Sequence, residues 1–248
     1  MALTFFWRCE TETLDGTHDY SAGDTTASGN ASVALSGTAA KVGSNGILVN
    51  AASKRYSFDP ASIITPAGGC FGHWFNIQSS LTTGGQCFYC RGTNSNDHVA
   101  LETVSNGQRV LLKLRHSTNG AVTLSTSSGT VTSEMSTGSW YFIVGRWDIA
   151  SDYRRIEVYD STLTLIQHHT DTGTDLSSYQ PVDFIAGGLR FGDATGWGGS
   201  TTAYIDNIFI ASNYDEAIES KANITSYTEY AGSTVAPKAS FYRMLRNL

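Results

Sequence analysis

The fold is decided by residues 139–161, SWYFIVGRWDIASDYRRIEVYDS, which read as two adjacent strands joined by a polar turn. The first strand carries two alternating apolar sets: Trp140, Phe142 and Val144 on one face, and Tyr141, Ile143 and Trp147 on the other. Such a run is typical of a strand with both faces covered. In the second strand Ile156 and Val158 alternate with Arg155, Glu157 and Tyr159, which predicts one half-solvated face. We therefore expect a hairpin in the middle of a sheet.

The composition favours an all-β protein. Charged residues make up 15% of the 248 residues, with 25 glycines and four prolines, which favours short strands and tight turns over helices. We predict a two-sheet antiparallel sandwich with one short C-terminal helix, which begins near residue 213. The predicted domain covers residues 1–232, of which 1–44 form an N-terminal strand and a long surface loop.

The C-terminal tail, residues 233–248, has an apolar and basic composition. Its charged residues after 233 are Lys238, Arg243 and Arg246, with no acid. It is interpreted as a docking arm, and a frayed terminus is the alternative.

Charge and hydropathy exclude some partners. The net charge of -6 argues against nucleic acid, which requires a basic stripe. The first ten residues lack a secretory signal pattern, and no segment has 18 uninterrupted apolar residues, so membrane insertion is not expected. We expect a protein that reaches the outside by lysis, within a virus particle or through a dedicated apparatus.

The cysteines and one histidine show a spacing that superficially resembles a zinc site, namely Cys70, His73, Cys87 and Cys90. Residues 86–91, QCFYCR, instead read as a strand, in which Cys87 and Cys90 would lie on opposite faces. Free buried thiols are therefore the preferred interpretation, for Cys9 as well, and disulfides are not expected in a reducing cytoplasm.

Three stretches carry a resemblance to a known family. They are residues 71–77 with a central tryptophan, the G-x-W pattern that begins at Gly138, and residues 187–219 with GGLRFGD, YIDNIFI and YDEAIE. In order, they resemble the laminin-G-like, or concanavalin A-like, jelly roll of the pentraxin-related kind found in bacterial and phage surface proteins. The resemblance covers about residues 45–220 by pattern and implies the sandwich fold.

Catalysis is not expected, although several families with this fold are enzymes. Their glucanases carry paired carboxylates on one strand face, whereas Glu157 and Asp160 fall on opposite faces here. Lyases resembling the fold need a basic residue, a histidine and a tyrosine on the sheet. Arg146, His73 and Tyr159 supply the residue types but match no motif.

Two binding sites are predicted. In the glycine-rich loop, Asp193 would accept sugar hydroxyl bonds and Trp197 would stack on a pyranose ring, and the alternative is that Trp197 plugs one end of the sandwich. The resemblance also implies a calcium site, with Asp206 in the last strand joined by Glu10, Glu12 or Asp15. The alternative for Asp206 is a bond to backbone or to a neighbouring arginine.

Two function classes follow. The first is a phage virion structural protein, such as a capsid decoration, fibre or tail component, at the virion surface, with itself or other virion proteins as partners and a possible role in binding cell-surface glycans. The second is an extracellular carbohydrate-binding module or polysaccharide-degrading enzyme.

Overall fold

A computed structural model describes residues 3–16, 19–30, 33–50, 54–78, 85–105, 107–185, 187–192 and 202–211. Within these ranges the chain forms two antiparallel sheets and three single-turn 3₁₀ helices, at Gly37–Ala39, Thr126–Ser128 and Ser177–Tyr179. The predicted all-β, two-sheet sandwich is confirmed. The predicted helix near residue 213 and the tail lie outside the described residues, and the domain limits stay a prediction.

The first sheet contains, in the described part of the chain, the strands β1 (Leu3–Trp7), β2 (Tyr20–Ser21), β4 (Ala34–Ser36), β5 (Gly46–Val49), β7 (Gly68–Ile77), β12 (Thr130–Val131), β13 (Tyr141–Asp148), β14 (Tyr153–Tyr159), β15 (Leu165–Asp171) and β17 (Ala203–Ala211). They lie in the order β12-β15-β14-β13-β7-β17-β1-β2, and β5 pairs with both β17 and β4.

The second sheet contains, among the described residues, the strands β3 (Ser28–Asn30), β6 (Arg55–Phe58), β8 (Gln86–Arg91), β9 (His98–Val104), β10 (Arg109–His116), β11 (Gly120–Ser125) and β16 (Leu189–Phe191). They lie in the order β11-β10-β9-β8-β16-β6-β3. The four consecutive strands β8 to β11 pair in chain order. The sequence predicts this meander, because the turn pairs Asn106-Gly107 and Asn119-Gly120 separate short alternating segments.

The predicted hairpin at 139–161 lies in the middle of the first sheet. β13 pairs with β14 from Phe142↔Tyr159 to Asp148↔Tyr153, and its other edge pairs with β7. In the turn, Asp148 Oδ1 accepts the amide of Ala150 at 3.1 Å. The hairpin therefore occupies an interior position, which explains why both faces of β13 are apolar.

The main core lies between the sheets and is built from alternate residues of their strands. Phe71 of β7 stacks on Phe88 of β8, with ring centroids 3.7 Å apart, and Trp7 of β1 meets Phe58 of β6 edge to face at 5.1 Å. All four rings are buried. Truncating such a side chain to alanine costs about 3–5 kcal/mol, so these contacts hold the sheets together.

The outer face of the first sheet carries a second apolar group, the outer cluster. It consists of Phe6, Cys70, Trp74, Phe142, Val144, Tyr159, Phe209 and Ala211. Glu157 lies on this face and is 3% exposed, so the predicted half-solvated face of this strand is wrong. The reason is that β14 is an interior strand between β13 and β15, and Arg146 and Arg155 both contact the Glu157 carboxylate.

The cysteines differ from expectation in one respect. Cys87 and Cys90 both belong to the main core, because the register of β8 against β9 shifts between Gln86 and Phe88. Such a bulge adds one residue and changes the face of the residue inside it. All four cysteines are free and buried, and the Cys87 thiol donates to the carbonyl oxygen of Leu101 at 3.4 Å.

The buried His73 predicts a loss of stability in acid. Burial lowers the pKa of His73 from 6.5 to about 4, so the folded state binds fewer protons than the unfolded state between these pH values. The free energy of unfolding should therefore fall by about 3 kcal/mol from pH 6.5 to pH 4 on account of this group. Urea unfolding of His73→Leu across this range should show that much less pH dependence than the native protein. Identical slopes for the native protein and His73→Leu would contradict the prediction.

Candidate functional site

Residues 193–201, the glycine-rich loop of the sequence prediction, connect the two sheets along the chain. The loop leaves the second sheet after β16 and enters the first sheet at β17, between Gly192 and Thr202. The predicted ligand residues Asp193 and Trp197 belong to this loop and lie outside the described residues. Their role in binding stays a prediction.

Both ends of this loop are held by backbone hydrogen bonds. The amide of Gly192 donates to the carbonyl oxygen of Cys87 at 3.3 Å, and the amide of Gln78 donates to that of Thr202 at 2.8 Å. Gly192 has a φ of 88°, and a Cβ there would lie 2.5 Å from Cγ2 of Val49. Only glycine fits this position, so the loop starts from a defined point.

Two half-exposed aromatic rings lie on the first sheet where β17 begins. Trp140 directly precedes β13 and packs against the outer cluster, and Tyr204 is the second residue of β17. Their ring centroids are 6.2 Å apart, with an interplanar angle of 39°. Asn76 is the strand partner of Tyr204, and Gln78 Nε2 donates to Asn76 Oδ1 at 2.6 Å. Asn76 is itself buried and donates to the carbonyl oxygen of Gly138 at 3.3 Å, so it holds Gln78 in place. We call Trp140, Tyr204 and Gln78 the aromatic platform.

The platform has the chemistry of a carbohydrate site. Indole and phenol rings offer flat apolar faces to the C–H face of a sugar, and an amide both donates to and accepts from hydroxyl groups. The sequence pattern places Trp140 on a strand face only, and Tyr204 does not stand out in it. An aromatic residue at the start of each strand is visible in the sequence. That the two rings are neighbours is not, because it depends on β7 lying between β13 and β17.

Asp206, the predicted calcium ligand, binds backbone amides. Its Oδ2 accepts from Lys41 at 2.7 Å and from Val42 at 2.8 Å, and its Oδ1 accepts from Asn207 at 2.8 Å. Asn207 adopts a φ of 43° at a break in the register of β17 against β7. This irregularity lets the carboxylate reach the loop before β5 and hold it against the sheet.

The other predicted ligands engage nearby groups. Glu10 Oε1 accepts the amide of Ser44 at 2.7 Å, so it holds the same loop as Asp206. Asp15 forms an ion pair with Arg8 at 3.2 Å and accepts the amide of Asp19 at 3.1 Å. Across the described ranges, no group of three or more His, Cys, Asp and Glu side chains is arranged to hold a metal ion.

The Asp206 carboxylate is already engaged by backbone donors. Calcium takes carboxylate and carbonyl oxygens, whereas the backbone presents N–H groups to both oxygens of Asp206. Burial raises the pKa of Asp206 to about 7, against the effect of the three amides, and the charge of Glu10 adds to the rise. The geometry is that of a buried carboxylate that fastens a loop.

The residues considered for catalysis do not converge. Arg146 and Tyr159 face the outer side of the first sheet, whereas His73 faces the main core beside Phe75. Glu157 is buried between Arg146 and Arg155, and although burial opposes ionisation, the two guanidinium groups lower its pKa. Glu157 is therefore an ionised member of a buried ion cluster.

Asp160, the other acid considered for catalysis, caps a turn. Its Oδ1 accepts the amide and the hydroxyl of Thr162 and the amide of Thr164, at 2.8, 2.7 and 3.0 Å. It lies beyond the end of β14, away from the buried carboxylate of Glu157.

Comparison with known proteins supports the fold. No protein-family model and no curated protein sequence matches the chain. Domain 4 of AbnA, a GH43 extracellular arabinanase from Geobacillus stearothermophilus, in complex with arabinotriose, aligns with a TM-score of 0.58 and 14% identity over 85% of this chain and 92% of that one. At this identity the likeness shows a shared jelly-roll-type β-sandwich.

Toxin binding domains show the same fold. The botulinum neurotoxin serotype D/C VPI 5993 binding domain aligns with a TM-score of 0.60 and 13% identity over 91% of this chain and 53% of that one. The binding domain of botulinum neurotoxin DC in complex with SialylT gives 0.55 and 13% over 85% and 49%. The chain thus spans about half the length of these toxin domains.

In the described part of this chain, no helix has the length and apolar character needed to cross a bilayer.

The loop-fastening role of Asp206 predicts a specific sensitivity to amide substitution. In Asp206→Asn one of the two bonded oxygens becomes an NH₂ group that faces a backbone N–H, so a buried donor loses its acceptor at a cost of about 2 kcal/mol. Asp160→Asn should change the free energy of unfolding by about 0.5 kcal/mol or less, since all three of its bonds use one oxygen. Urea unfolding at pH 8 measures both, and equal effects would contradict the prediction.

Proposed function

We propose that this protein is a non-catalytic, carbohydrate-binding β-sandwich displayed on a surface, and that the aromatic platform and the loop at 193–201 form its binding site. The observation that carries the proposal is the pair of half-exposed rings, Trp140 and Tyr204, beside the exposed Gln78 amide. Thr202, the first described residue after this loop, accepts the backbone amide of Gln78 and lies two residues before Tyr204.

The expected affinity at one such site is low. Each aromatic ring against a sugar contributes about 1 kcal/mol, and each amide–hydroxyl hydrogen bond about 1 kcal/mol. Two rings and one or two hydrogen bonds give about 3–4 kcal/mol, which corresponds to a dissociation constant of about 1–6 mM. Asp193 and Trp197 would add to this value. Useful binding at this strength depends on several copies acting together, so it suits a repeated surface array.

Structures with the same fold support this choice. The arabinanase domain was solved in complex with arabinotriose, and a botulinum neurotoxin DC binding domain in complex with SialylT. Cell entry of botulinum neurotoxin type C depends on interaction with two ganglioside molecules. The arabinanase domain matches this chain over 92% of its own length and the toxin domains over about half of theirs, and the proposal extends carbohydrate binding to the platform of this chain.

The proposed setting is a phage virion, as a capsid decoration, fibre or tail component of the laminin-G-like, pentraxin-related kind. The tail at 234–248, with its apolar and basic residues, would dock on other virion proteins or on a second copy. The alternative is an extracellular carbohydrate-binding module or polysaccharide-degrading enzyme. Both settings place the sandwich outside the cell.

Calcium binding by Glu10, Asp15 and Asp206 stays a prediction. An ion at Asp206 would have to replace the amides of Lys41 and Val42 as its partners. Binding would then release the loop that these residues now hold.

Carbohydrate binding at the platform is tested with Trp140→Ala on a glycan array that includes arabino-oligosaccharides and sialylated gangliosides. We expect wild-type binding to a subset of glycans and a loss of at least about fivefold in the variant, because one stacking face is removed. Trp197→Ala measures the contribution of the loop in the same assay.

The matched control is Tyr153→Ala, which removes a half-exposed ring from the same sheet face at its opposite end. This variant should bind glycans like the native protein. Absence of glycan binding by the folded native protein, or unchanged binding by Trp140→Ala, would contradict the proposed function.

The virion setting is tested without sugar. A virion component is expected to form an oligomer of defined mass in analytical ultracentrifugation, or to cosediment with phage particles, and to lose this association when residues 234–248 are deleted. A chain that stays monomeric and does not attach to particles would favour the extracellular module.

A further inference from the structure

The outer face of the second sheet is basic, although the chain carries a net charge of -6. Six of its 16 lysines and arginines occupy outward positions on four strands of this sheet: Arg55 of β6, Arg190 of β16, Arg91 of β8, and Arg109, Lys113 and Arg115 of β10. Among the described residues, Glu102 is the acid at an outward position on these paired strands. We call the patch around Arg91, Lys113, Arg115 and Arg190 the basic face.

Strand register brings these cations together. Arg91 and Arg115 are both paired with His98 of β9, one from each side, so their backbones are about 10 Å apart. In the neighbouring row Ala100 lies between Tyr89 and Lys113, and Tyr89 is paired with Arg190. The basic face therefore crosses four adjacent strands.

Local acids neutralise only part of this charge. Both oxygens of Glu102 accept from Lys113 Nζ, at 3.0 and 3.1 Å, and Arg109 forms its ion pair with Glu134. The half-exposed guanidinium groups of Arg91 and Arg115 make no ion pair or side-chain hydrogen bond within the described ranges. Two cations on this face are thus available to an external anion.

Acids at the margin of the face bond elsewhere. Asp97 Oδ1 accepts the amide of Ser117 at 2.7 Å, and the Asp183 carboxylate accepts the amide and hydroxyl of Thr93 at 2.8 and 2.7 Å. These contacts hold turns beside the face and leave its charge unchanged.

The centre of the basic face is partly aromatic and buried. The Arg190 guanidinium lies over the ring of Tyr89 at 5.5 Å, and the rings of Tyr89 and His98 are 5.0 Å apart. Burial lowers the pKa of His98 to about 4, with further lowering by Lys113 and Arg115, so the imidazole is neutral at pH 7. Tyr89, His98 and Ala100 are all buried, whereas Arg91 and Arg115 are half-exposed, so an external ligand meets the cations first.

We propose that the basic face binds an acidic polysaccharide, whose carboxylate or sulfate groups pair with Arg91 and Arg115 on the two sides of His98. Guanidinium groups bind such anions through two parallel N–H donors. The site is separate from the aromatic platform, which lies on the other sheet, and it goes beyond the proposed function. Duplex nucleic acid suits this face less well, because its affinity depends on neutralising many phosphates and two unpaired arginines supply few.

The test measures binding to heparin, polygalacturonate, dextran and duplex DNA in about 50 mM NaCl, where exposed charges are weakly screened. The native protein should bind heparin or polygalacturonate and release it as salt rises, and it should not bind dextran at this face. The double variant Arg91→Gln/Arg115→Gln should lose about tenfold in affinity, since two exposed ion pairs contribute about 1 kcal/mol each at most. Heparin and polygalacturonate distinguish sulfate from carboxylate.

Two controls make the result specific. The double variant Lys41→Gln/Arg155→Gln removes the same charge from the first sheet and should retain polyanion binding. Trp140→Ala should also retain it, so failure of this proposal and failure of the proposed function can be told apart. The proposal is overturned if neither acidic polysaccharide binds, if both double variants lose affinity equally, or if DNA binds as tightly as the polysaccharides.

Discussion

The stacking of Phe71 on Phe88 joins the centre of one sheet to the other, with the ring planes within 8° of parallel. The contact determines which face of β7 points inward, and strand alternation then turns Cys70 and Trp74 outward. A slip of one residue in β7 would expose Phe71 and bury the outward set. Every placement on the first sheet follows from this orientation, because β13 and β17 both take their register from β7.

Two glycines let aromatic rings lie flat on neighbouring strands. A Cβ at Gly145 would lie 2.5 Å from the ring of Phe71, and one at Gly72 would lie 2.4 Å from the ring of Phe209. The first contact is on the inner face of the sheet and the second on the outer face. The same sheet therefore supports the main core on one side and the outer cluster on the other.

The two outer faces of the sandwich have different chemistry. The face of the first sheet combines the outer cluster with a buried ion cluster of Arg146, Glu157 and Arg155, and its half-exposed aromatic pair lies at one end. The face of the second sheet carries cations around a buried, partly aromatic centre. The two proposals therefore rest on different chemistry, aromatic rings and an amide on the first face and guanidinium groups on the second.

The sequence by itself determined the all-β class, the central hairpin at 139–161 and the order of strands from β8 to β11. Alternation with a period of two and turn residues are local properties, and they are visible without knowledge of the partner strand. Only the tertiary structure decided that Glu157 is buried, that Cys87 faces the core, and that Trp140 lies beside Tyr204. These features depend on sheet order, bulges and register between residues distant in the chain, which are set by how the two sheets pack.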